Sequence, residues 1–183
     1  MIGSPIQFVF VLETDNVART DEPYITYLVK NLFGTYFEQS GEYAYKRSYV
    51  FMGGKRNYNK QTVINEIKTL INEFNPYKTI VVYIIDTDNE SNTNIDLNNN
   101  ILAYCVENKY FLIYFSHKIE NIFFPNEKKI DKLSLKKKFA KGNPKIKTII
   151  KNLNERKYFV YKFGKSNFIH ILDKIISEET NIK

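Results

Sequence analysis

At 183 residues, with 43% hydrophobic and 26% charged residues, the chain has the size and composition of one globular domain and not of a disordered segment. A single cysteine, Cys105, excludes an internal disulfide and a cysteine-built zinc site; read as part of an apolar helix face, it is a buried structural thiol. The net charge is +7, no apolar run reaches membrane-span length, and "MIGSPIQF" has no basic stretch leading into an apolar core, so a cytoplasmic protein with no membrane partner is expected.

The first element is "IQFVFVL" (Ile6 to Leu12), a β-branched and aromatic run of the kind that forms a strand covered on both faces. It ends on an acid, Glu13. From Glu22 to Phe37, "EPYITYLVKNLFGTYF" has helical spacing, with Asp21 as N-cap and Pro23 in the first turn, where a missing N–H costs nothing. "YKRSYVFM" reads as a second strand and "GGKRNYN" as a turn. "KQTVINEIKTLINEF" reads as an amphipathic helix with Val63, Ile67, Leu70, Ile71 and Phe74 inward. "KTIVVYIID" is the strongest strand and again ends on an acid, Asp86. A polar loop, a helix from about Leu97 to Asn108 and a fourth strand at "KYFLIYFS" follow. After a short helical or turn segment the pattern is mainly helical from Asp131, with a last strand at "KYFVYKF" and a terminal helix near Ser166 to Ser177.

The Lys128–Lys151 stretch holds ten lysines against Asp131, which leaves 17 basic and 19 acidic residues elsewhere. A patch of that density attracts phosphate backbones. It is equally what a solvated, Lys-rich helix surface looks like in a chain so rich in Asn, Ile and Lys.

The β-α-β-α-β-α-β order implies a central, mostly parallel four-stranded sheet flanked by helices. Sites in such sheets form outside the carboxyl ends of the strands, which places Glu13, Asp86 and Ser116 on one edge. In "YIIDTDNE", Asp86 and Asp88 are two apart and would project to one side of an extended chain. Two readings are open: an Asx-type loop start, or, with Glu13, three acids converging on Mg²⁺ or Mn²⁺, which would relieve their mutual repulsion. Lys55 and Arg56 lie on a turn ahead of a helix, where they could hold a phosphate or simply face solvent. His117 lies beside the proposed edge; His170 reads as structural.

These residues resemble the Toprim fold of topoisomerases, primases and OLD-type nucleases, and more specifically the RloB-like proteins of bacterial restriction and abortive-infection loci. The motifs that carry the resemblance are "LETDNVARTDEPYI", "YVFMGGKRNYNKQTVINEI" and "VVYIIDTDNE", with looser likeness at "SHKIENIF" and "FAK". The glycine that follows the family's first acid is Thr14 here. The resemblance covers most of Phe8 to Lys141 and implies a Toprim-like (Rossmann-like) α/β core, placed at 1–127; the lysine run and helical pattern of 128–183 read as a basic, mainly helical extension packed on it.

It also implies a metal-dependent nuclease acting on DNA or RNA in antiviral defence. Glu13, Asp86 and Asp88 would ligate the metal, Glu120 and Glu22 would serve a second ion or act as base, and Lys141 would face the phosphate. Lys136, Lys137 and Lys138, with Lys55 and Arg56, would contact nucleic acid. No G-x-x-x-x-G-K-[ST] occurs, so an ATPase or sensor, where needed, is a separate partner. The abundance of aromatics suits a homodimer. Two alternatives stand beside this reading: a binding module that keeps the fold without cutting, and a receiver-like domain with Asp86 as phosphoacceptor.

Overall fold

The computed structural model describes residues 5–37, 45–126, 131–142 and 146–179. Four strands, β1 (Ile6–Leu12), β2 (Tyr45–Phe51), β3 (Lys78–Asp86) and β4 (Phe111–Phe115), form one sheet in the order β2-β1-β3-β4. Every pairing is parallel; Ile6 lies opposite Tyr45 on one side and Lys78 on the other. The near-continuous burial of β1 and β3 matches their uninterrupted apolar sequences, because helices cover both faces.

One face packs Phe8, Phe10 and Leu12 against α1 (Glu22–Phe37), α5 (Lys132–Lys141) and α7 (Phe168–Glu179). The other packs Val9, Val11 and Tyr83 against α2 (Gln61–Phe74) and α3 (Asn92–Glu107). The chain thus winds one way from β1 to β2 and the opposite way from β3 to β4. The reversal falls between β1 and β3, and in open α/β sheets the crevice outside those two strand ends is where ligands bind.

Two short helices, α4 (Glu120–Phe123) and α6 (Ile146–Ile149), complete the described elements together with 3-10 turns at Lys55–Asn57 and Ile150–Asn152. The third long helix begins at Asn92, five residues before the position read from hydrophobic spacing. Ser91 caps it by accepting from Asn94 N, so the polar "NTNID" stretch is its first turn and not loop.

The strand expected at "KYFVYKF" does not form. Phe159 has φ 56°, outside the strand region, and the segment is tied down irregularly, with Val160 N donating to Tyr114 Oη. What pairs with the outer edge of β4 is Ser166, in an antiparallel bridge to Phe115, together with the Asn167 side chain. The Asn167 amide accepts from Tyr114 N at 2.9 Å and donates to Leu112 O at 3.1 Å, imitating a strand with one residue. Among the described residues no helix is long and apolar enough to cross a membrane.

Candidate functional site

Glu13 leaves the end of β1 and turns toward β3, where its Oε2 accepts from Asp86 N at 3.1 Å. Asp86, the last residue of β3, is buried with both oxygens engaged: Oδ1 accepts from Ile119 N at 2.8 Å and Oδ2 from Lys132 Nζ at 3.0 Å. The same ammonium reaches Asp21 Oδ1 at 3.3 Å. Glu120, in the single turn α4, is fully buried, and neither of its oxygens meets a protein donor among the described residues.

Glu13, Asp21, Asp86 and Glu120 therefore share this strand-end crevice with Lys132. A cleft of about 420 Å³ opens onto it, lined by Glu13, Thr14, Thr20, Gly53, Gly54 and Lys132. Gly54 sits at φ 115°, a region side-chain-bearing residues avoid, and its N–H donates to Glu13 O, which draws the turn after β2 against the end of β1.

Burial dominates the electrostatics. It pushes the Glu13 carboxyl up to about 8, helped by the Asp86 charge and opposed by Lys55. Asp86 rises to about 6 through burial, with Lys132 pulling the other way. Glu120 rises to about 7 for the same first reason, again opposed by Lys132. Burial alone would lower the Lys132 ammonium, but Asp86, Asp21 and Glu120 more than offset it and hold it well above its ordinary value. The crevice thus carries more carboxylate than its ammonium neutralises.

The two acids of D-x-D part company. Asp88 has φ 58°, which breaks the strand alternation that would have set it beside Asp86. Its N–H donates to His117 O, and its carboxylate takes Lys55 Nζ at 2.6 Å. Lys55 is only 5% exposed, and its ammonium also donates to Asp86 O at 2.9 Å. Lys55 is accordingly an internal tie between the ends of β2 and β3, a correction to its expected place on a nucleic-acid surface. Arg56, beside it, is exposed.

Glu22 is apart from the crevice. It faces Arg19 at 3.9 Å and lines a separate groove with Lys30, Lys136 and Phe139. Lys141 is exposed at the far end of α5, about 13 Å along the helix axis from Lys132 at 1.5 Å per residue. Lys132 is the lysine that meets the acids.

The reason lies in the helix period: Lys132, Leu135, Lys136 and Phe139 share one face at i, i+3, i+4 and i+7. Leu135 and Phe139 are buried, Phe139 against the rings of Tyr24, Tyr27 and Phe123. That packing delivers Lys132 to the acids and Lys136 to Ala18 O at 2.7 Å. Lys137 and Lys138 stand exposed on other faces, Lys138 over the Phe124 ring.

Asp21, expected as an N-cap, precedes α1 as anticipated. Its side chain, however, serves Lys132 and Thr20 Oγ1. Thr14 pins the loop between by accepting from Thr20 N, leaving Val17 at the loop tip 95% exposed.

Among the described residues no three Asp, Glu, His or Cys side chains stand together as a ready metal cage. The donor chemistry nonetheless suits a hard dication. The donors are carboxylates, Glu120 has both oxygens unpartnered, and three of the groups are displaced upward by burial and mutual charge. What fills the centre is the Lys132 ammonium. No protein-family model, no curated protein and no solved structure matches this chain.

Proposed function

We propose that the chain is a divalent-metal-dependent phosphodiesterase acting on nucleic acid, in the defence setting that its resemblance to RloB-like proteins implies. The observation that carries this reading is the surplus of buried carboxylate at the reversal point between β1 and β3, with Glu120 given no hydrogen bond by any other described residue. Glu13, Asp86 and Glu120 would hold Mg²⁺ or Mn²⁺, which when bound polarises the phosphate and acidifies a water.

The protein's own contribution is positioning. Ile119 N and Asp86 N fix the orientations of Asp86 and Glu13, while Lys55 locks the β3 end through Asp86 O and Asp88. Exposed Lys137, Lys138 and Lys141 on α5 present positive charge to a phosphate backbone. DNA and RNA would serve this chemistry alike.

The test is cleavage of plasmid DNA and of a transfer-RNA pool with Mg²⁺ or Mn²⁺, comparing wild type with Asp86→Asn and Glu13→Gln. Loss of cutting with retained, salt-sensitive binding is expected. A second reading, binding without cleavage, is favoured by one observation: Asp86 and Asp88 are already neutralised by Lys132 and Lys55. A wild type that cuts neither substrate with either metal would leave that reading in place. The receiver-like alternative predicts acetyl-phosphate or beryllofluoride modification at Asp86, and no modification there would remove it.

A further inference from the structure

Lys132 is the feature that the proposed chemistry does not use. Its ammonium lies 3.0 Å from Asp86 Oδ2 and 3.3 Å from Asp21 Oδ1, which is where a cation bound by those acids would sit. Divalent ions of the Mg²⁺ class bind carboxylate oxygen at about 2.1 Å. Such an ion on Asp86 would stand almost against the Lys132 Nζ, and two like charges at that range exclude one another.

The rest of the site is arranged for exchange. Lys132 is the first residue of α5, and its backbone is held independently of its side chain because Asp131 caps the helix by accepting from Leu133 N and Ser134 N. Leu135 and Phe139 anchor the helix in the core. The lysine side chain itself is 31% exposed and lines the cleft of about 420 Å³ together with Leu133 and Glu13. Because the side chain borders that cleft, outward rotation about its four side-chain bonds would carry the ammonium there while α5 stays in place. Beneath it, the Glu120 carboxylate is fully buried with no protein donor among the described residues, and it interacts electrostatically with both Lys132 and Asp86. It is a second buried carboxylate close enough to feel both charges.

We infer that Lys132 is the resident counter-ion of this pocket, and that a divalent cation gains Asp86 and Glu120 by displacing the Lys132 ammonium from the acids into the cleft. The inference rests on the proposed metal reading and adds a residue that sets the pocket's affinity for its ion. Displacement also leaves a positive charge at the cleft mouth, where a substrate phosphate would pass. Lys55 has no such freedom, being buried and bonded to a backbone carbonyl as well as to Asp88.

Two measurements on the full chain test this. Mn²⁺ binding is followed by titration calorimetry and by the loss of the free-ion paramagnetic resonance signal, for wild type, Lys132→Met and Lys132→Arg. Removing the competing charge should tighten binding by about tenfold or more in Lys132→Met, while Lys132→Arg stays near wild type. Equal or weaker binding by a folded Lys132→Met, with wild type binding, overturns the inference and leaves the metal reading intact. No binding by either overturns both. Binding by Lys132→Met alone is the strongest form of the expected result.

Wild type supplies the second measurement, should the variant fail to fold. Amine-reactive footprinting read by mass spectrometry should show Lys132 labelling rise several-fold when Mg²⁺ is added, with Lys55 unchanged. Bound metal with no rise at Lys132 sinks the displacement.

Discussion

The turn after β2 and the start of α5 each supply one lysine to the strand-end acids, and the two lysines are built to opposite ends. Lys55 is sealed in, with a backbone carbonyl and Asp88 as partners. Lys132 reaches carboxylates from a partly open position at a helix start. A cation bonded to backbone and closed over by protein is a structural tie. One that touches only carboxylates from the rim of a cleft can be exchanged for another cation. Burial and partner type, and not charge, separate the two roles.

The sharpest break in that comparison is Lys55→Met. It strands the Asp86 carbonyl and the Asp88 carboxylate, and denaturant unfolding should show a loss of about 2–4 kcal/mol, below the top of the buried-pair range because Asp88 is partly exposed. Lys132→Met should cost less, about 1–2 kcal/mol, because Asp86 and Glu120 can take up protons in place of the ammonium.

Asp86→Asn keeps an acceptor for Ile119 N and should change stability by about 1 kcal/mol. Its effect falls on chemistry, with metal-dependent cleavage down by on the order of a hundredfold or more. A variant that folds and cuts normally would remove Asp86 from the machinery.

The acids also give the fold a pH signature. Glu13 moves from an ordinary 4.5 up to about 8, so the folded state binds a proton that the unfolded state releases. Its contribution is fully present below about 4.5 and is lost as pH rises through about 8; Glu120, at about 7, acts in the same sense. The metal-free protein should therefore show a thermal midpoint that falls between pH 5 and pH 8, and Glu13→Gln should flatten the slope. A flat wild-type profile would mean that these carboxyls are better solvated than the fold suggests. Smallest of all, Lys141→Ala should alter stability by less than about 0.5 kcal/mol, since the side chain is exposed at the helix end. Its trace should appear only in the salt dependence of nucleic-acid binding.

Much of the scaffold was legible because burial leaves direct marks. The unbroken apolar runs of β1 and β3 announced strands covered on both sides, and the β-α alternation announced their parallel pairing. That Glu13 and Asp86 lie together was legible from position alone, as acids closing two apolar runs. What escaped were contacts made across long sequence separations and backbone angles that residue type does not fix.

Lys132 meets Asp21 over 111 residues, and in the sequence it is one lysine among the ten of Lys128–Lys151. Its helical spacing to Leu135 and Phe139 was the available signal. Asp88 looked like a partner of Asp86 until its left-handed backbone turned it to Lys55. "KYFVYKF" has strand composition, yet the place beside β4 is taken by Ser166 and Asn167.

That last replacement closes one margin of the sheet. With a carboxamide plugged into the last ladder rung, β4 offers an incoming chain no free row of hydrogen bonds at Leu112 and Tyr114. The opposite margin of the sheet, among the described residues, is β2. There Lys46 and Arg47 stand exposed, so that margin is defended by charge where the other is defended by a cap.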